Sequence, residues 1–170
     1  MNQYTVLVFF HVASVIVWIG VGAAVALLAL YAQRSRDALV AERLGGFVGW
    51  LSPRVLAPAS LSALGFGIAA AHSGHWPRLL WFHVGEGAFA ISFLITIAFR
   101  LPLLRRASRG DIQPARLARL ILALALSELT VLFIAVADMV EKPTSLGAGT
   151  LSAGAAILAT ALLGSVALAA

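Results

Sequence analysis

From Tyr4 to Ala32 the chain contains no Lys, Arg, Asp or Glu, and long stretches nearly as free of charge recur down its length. A helix needs about 20 apolar residues to cross the ~30 Å hydrocarbon layer of a bilayer. Five segments approach that length: about Tyr4–Ala32, Val55–Ala71, Leu79–Leu104, Leu117–Val140 and Leu146–Ala170. Pro53 and Pro58 fall at the start of the second, where a missing N–H costs a helix least. Of the 170 residues 61% are hydrophobic and 11% charged, with mean hydropathy +0.98. A soluble domain carries about 25% charged residues, enough to cover its surface. The expected fold is therefore all-α: one polytopic membrane helical bundle with about five transmembrane helices, in contact with a lipid bilayer.

The net charge of +5 and pI near 11.1 would raise nucleic acid as a partner for a soluble protein. Here the basic residues bracket apolar spans, so they read as topology signals and nucleic acid is not an expected partner. Arg34, Arg36, Arg43 and Arg54 lie between spans one and two. Arg100, Arg105, Arg106, Arg109, Arg116 and Arg119 lie around the junction of spans three and four, leaving only Arg78 and Lys142 on the other side. The positive-inside rule places the N-terminus outside, in a multi-pass protein of the cell inner (cytoplasmic) membrane. Met1–Gln3 has no basic region, so the first apolar run reads as a span rather than a cleaved leader. Ser35–Leu51 mixes charges with Leu39, Leu44, Phe47, Val48 and Trp50, the pattern of an amphipathic helix lying on the cytoplasmic surface. The fifth span has no ionisable side chain and reads as packing or lipid-facing material.

The chain has no cysteine, which excludes disulfides, thiolate metal sites and iron–sulfur clusters. It has no G-x-S-x-G, H-E-x-x-H, phosphate-loop or dinucleotide-binding glycine pattern, so hydrolytic and nucleotide chemistry lack a basis. What remains is imidazole and carboxylate. "HSGHWPRLLWFHVGEG", residues 72–87, holds three of the four histidines. The expected topology divides this stretch. His72 and His75 fall in the outer loop between spans two and three, while His83 and Glu86 lie inside span three at i and i+3. His11 lies at comparable depth on span one, in a stripe with Ser14 and Trp18 at i+3 and i+7. Glu128, Val131, Ala135 and Asp138 form one stripe of span four. Ionisable groups within spans are costly in lipid and should face the bundle interior.

Two roles are open for these groups. They can be polar packing glue between helices, or ligands. His11 and His83 have the spacing in depth to serve as axial ligands of a haem, with Trp18 and Phe82 or Phe89 as walls. A copper or zinc site needs three or four clustered donors, for which His11, His72, His75 and His83 with Glu86 are the candidates. A proton relay or quinone site through Glu86, Glu128 and Asp138 is a further option. Gly65, Gly67, Gly85 and Gly87 lie within spans and read as close-packing positions.

The stretch "FHVASVIVWIGVG" resembles the first span of the CopD-like membrane superfamily, with His11, Trp18 and Gly20 on its histidine, tryptophan and glycine. "RVLAPASLSALGFGIA" and "VADMVEKP" look like that group's branch of predicted integral membrane proteins without assigned function. Related branches are the CopD copper-resistance proteins and, more distantly, the HemJ-type protoporphyrinogen oxidase. In the latter the first-span histidine is implicated as a haem ligand, a role the resemblance carries to His11. The chain departs from that enzyme in having Glu86 where an intramembrane lysine is expected, and in lacking an arginine soon after the first-span glycine. The leading expectation is a b-type haem, or a similar redox cofactor, in the outer half of the bundle, serving electron transfer or redox chemistry. His11, His83, Trp18 and Glu86 would hold or tune it. The alternatives are copper binding or transport of CopD type, and a non-catalytic accessory subunit packed against other membrane subunits or a second copy of the chain.

Overall fold

A computed structural model describes residues 2–35, 37–75 and 80–142; the fifth apolar span, Trp76 and Arg78 lie outside the described residues. Within them the protein is all-helical. α1 runs Gln3–Ser35. α2 (Ala38–Leu51) continues through a wide turn at Ser52–Leu56 into α3 (Ala57–Ser73). α4 (Leu80–Ile95) continues through a second wide turn at Thr96–Arg100 into α5 (Leu101–Ser108), and α6 spans Pro114–Glu141. Among the described residues this makes four continuous helices long and apolar enough to cross a membrane. That is the make-up of a multi-pass membrane protein. The end carrying Gln3, Ser73, Leu80 and Glu141 is called upper below.

The second helix is much longer than Val55–Ala71, and its prolines are internal. The two wide turns have one cause. Pro58 and Pro102 lack an N–H, and their rings would collide with the carbonyl four residues earlier in a regular α-helix. Just before each proline the chain relaxes by one residue: Ala57 N–H donates to the Ser52 carbonyl and Leu101 N–H to the Thr96 carbonyl, both i→i−5. Side chains add donors to the carbonyls around the first turn. Ser52 Oγ donates to Val48 O at 2.7 Å and Arg54 Nη1 to Trp50 O at 3.2 Å. The buried seam Ala41, Leu44, Val48, Leu51 and Ser52 resumes at Leu56, Ala59, Ala63 and Ala70, so one buried face runs on through the wide turn.

That seam corrects the expectation for Ser35–Leu51. Ala38–Leu51 is helical, capped by the Asp37 carboxylate accepting from Leu39 N–H at 2.9 Å. It is not a surface helix, because Leu44 and Val48 join Val25, Ala29, Leu117 and Ile121 in the main core, between α1 and α6. In the upper half the helices ring in the order α3, α1, α6, α4, with only slight contact closing α3 to α4. α1 and α4 face each other across the gap.

Two glycines in this packing have opposite tolerances. A Cβ on Gly45 would sit 2.7 Å from Leu117 Cδ2, on a side chain locked in the core. A Cβ on Gly85 would meet Met139 Cε at the same distance, the free end of a flexible chain. Gly45→Ala is expected to destabilise by about 1–3 kcal/mol through overpacking. Gly85→Ala should be neutral or stabilising by up to about 1 kcal/mol from helix propensity. Thermal unfolding of the two variants in one detergent checks the contrast.

Candidate functional site

α1 presents His11, Val15 and Trp18 to the gap between the helices, as their helical spacing requires. α3 supplies Ala63 and Gly67, α4 supplies Trp81, Phe82, Glu86 and Phe89, and α6 supplies Leu132 and Met139. Together they line a half-open apolar cavity of about 340 Å³. That volume is at the small end of the range for ligand sites. Its walls are aromatic: Trp18 meets Phe89 edge-on at 6.0 Å between ring centroids. At the upper rim Lys142, which ends α6 with a left-handed φ of 48°, places its ammonium 5.8 Å from the Trp81 ring centroid.

His11 is half-buried and held in one orientation. Its Nδ1 lies 2.7 Å from the Ala63 carbonyl oxygen, so Nδ1–H is the donor of that bond. The neutral ring then keeps its lone pair on Nε2. Gly67 makes the close approach of α1 and α3 feasible here, since a Cβ at that position would lie 2.9 Å from His11 Nδ1 and 3.0 Å from Cε1. The sequence marks Gly67 as a packing glycine; that its partner is His11 needed the helix order. Nearby Ser14 spends its hydroxyl on the Phe10 carbonyl of its own helix.

His83 stands elsewhere. It is exposed, donates from Nδ1 to Glu86 Oε2 at 3.0 Å, and is not among the residues lining the cavity. Glu86 does line it, from an exposed position at the rim. His72 lies in the last turn of α3 and His75 occupies the following turn with φ 60°, both exposed. The cavity thus gathers His11, Trp18 and Glu86 from the candidate set, leaving His83, His72 and His75 outside. Among the described residues no three His, Asp or Glu side chains cluster closely enough to hold a metal ion.

Beneath the cavity lies a polar network. Trp18 Nε1–H donates to Glu128 Oε1 at 3.1 Å, and Arg100 Nη2 pairs with Glu128 Oε2. Arg100 is 7% exposed and Glu128 5%. Arg100 is therefore no loop residue, and its place among the topology-setting arginines is corrected. The sequence signal for this was its separation from Arg105 by the apolar run Leu101–Leu104, together with a glutamate inside the next span. Charges inside a bundle pair with one another because lipid offers no other partner. The α6 stripe Glu128, Val131, Ala135, Asp138 is buried along its whole length. At its upper end both Asp138 carboxyl oxygens are buried and, among the described residues, have no hydrogen-bond partner, and the same holds for Ser92 Oγ on α4.

No family model, no curated protein and no solved structure matches the chain.

Proposed function

We propose that the cavity binds a b-type haem through His11 as its single protein ligand, in an integral membrane protein of about five spans with its N-terminus outside. The observation that carries this reading is the His11 ring, anchored through Nδ1–H to the Ala63 carbonyl at the wall of an apolar, aromatic-lined cavity. Metal-binding histidines commonly donate their second nitrogen in this way, which fixes the tautomer and leaves Nε2 as the ligand. Of the four histidines His11 alone lines the cavity, so the chain would offer the group one imidazole there. Bound there, the group would supply one-electron redox chemistry. The chain's own residues would hold and insulate it: Trp18 and Phe89 wall the site, Trp18 stands between it and the Arg100–Glu128 pair, and Glu86 at the rim, hydrogen-bonded to His83, is placed to exchange protons with the upper surface. Copper has no comparable support, for want of three clustered donors among the described residues. The resemblance of "FHVASVIVWIGVG" to CopD-like first spans is consistent with a cofactor at His11. The test is titration of haemin into the detergent-purified protein. Saturation near one haem per chain, with a Soret shift that is lost in His11→Ala, is expected; equal binding by the variant refutes the assignment.

The orientation rests on the basic residues that remain at the lower end after Arg100 is withdrawn. Since the chain has no cysteine, single cysteines report topology without background. Ser73→Cys should react with an impermeant maleimide in intact cells, and Ser108→Cys only after permeabilisation. The reverse pattern refutes the orientation.

A further inference from the structure

The lower end of the bundle carries a second cavity, of about 740 Å³, between the α4–α5 arm and α6. We propose that this groove is a binding site for one anionic phospholipid. The proposal is independent of the haem reading and rests on the membrane placement of the four helices.

The groove is two-ended. Its mouth is polar, with Arg106 from α5 and Arg116 from α6 flanking it and Gln113 and Asp111 between them. Its floor is apolar: Ala98, Phe99, Leu120 and Leu124 line it, and it reaches Ser127, about 16 Å along α6 from Arg116 at 1.5 Å per residue. The turn joining α5 to α6 creates the convergence of the two arginines. Gly110 takes φ +76°, a conformation open to glycine, and Asp111 N–H folds back on the Arg106 carbonyl at 3.0 Å.

Both guanidinium groups are exposed, and among the described residues neither has a carboxylate within ion-pair distance. Asp111 offsets one charge at the mouth, but Arg105, Arg109 and Arg119 stand nearby on the same hairpin. The seven acidic side chains all precede Lys142, so residues 143–170 carry none. The missing partner is an anion whose other end is apolar and elongated. An anionic phospholipid meets both conditions: two planar guanidinium forks from different helices suit a phosphate, and the floor suits an acyl chain.

The test uses the whole protein in nanodiscs of phosphatidylcholine, with phosphatidylglycerol titrated in. Bound lipid is read by native mass spectrometry and stability by thermal unfolding. The native chain should retain one phosphatidylglycerol and unfold at higher temperature as its fraction rises. Arg106→Gln with Arg116→Gln should weaken retention roughly thirtyfold, at about 1 kcal/mol per arginine. Ala98→Phe, at an exposed floor position, should displace the lipid with both arginines intact. Arg105→Gln with Arg109→Gln, outside the groove, should weaken retention several-fold less than the groove pair. No preference for phosphatidylglycerol, or equal losses in the two arginine pairs, overturns the proposal.

Discussion

Arg100→Ala or Glu128→Ala alone is expected to destabilise the bundle by about 3–5 kcal/mol, because each leaves its partner charged and buried without compensation. The pair joins the α4–α5 arm to α6 at the level where Trp18 reaches in from α1, so three of the four helices meet on one carboxylate. Replacing both charges by methionine should restore most of the loss, since an apolar pair of similar size needs no desolvation to be repaid. Trp18→Phe removes one donor to a carboxylate that keeps its arginine, and a smaller cost of about 1–3 kcal/mol is expected. Thermal or denaturant unfolding of the purified variants in one detergent checks the series. Additive losses in the double variant would mean that the two residues act separately, contrary to the geometry.

The second large effect concerns His11. His11→Ala should abolish the haem Soret band, while Gly67→Ala should weaken haem binding about 10–100-fold with the histidine still present. The added methyl group would lie 2.9 Å from Nδ1, so the ring must move off the Ala63 carbonyl, and the tautomer and aim of Nε2 are lost with it. A purely structural role for His11 makes the opposite forecast: both variants lose stability, and neither changes a spectrum. Haemin titration of each variant, with its unfolding temperature measured in parallel, separates the two.

Four of the five expected spans were legible, because hydropathy is additive along a chain and demands no knowledge of neighbours. The buried α6 stripe was legible too, since ionisable groups at helical spacing in lipid have only the bundle interior to face. The surface placement of Ser35–Leu51 failed for a specific reason. Its charges Glu42 and Arg43 stay exposed on one side, while Leu44 and Val48 pack into the core with Val25 and Ala29 of α1 and Leu117 and Ile121 of α6. A proline read as a helix start was a helix interior accommodated by a widened turn. Arg100 was misassigned because charge counting treats an arginine near a span's end as a loop residue, whereas its partner Glu128 comes from a different helix. Depth alone put His83 level with His11. Azimuth decided the outcome, and azimuth follows from which helices touch, which no single segment encodes.

The anchored imidazole of His11 faces the apolar cavity in which we propose that haem binds. The most direct test is an absorption spectrum with iron analysis of the native chain, purified in mild detergent from cells supplied with haem precursors. A Soret band with about one porphyrin iron per chain is expected. A folded, monodisperse protein that is colourless and iron-free, and takes up no haemin, would contradict it.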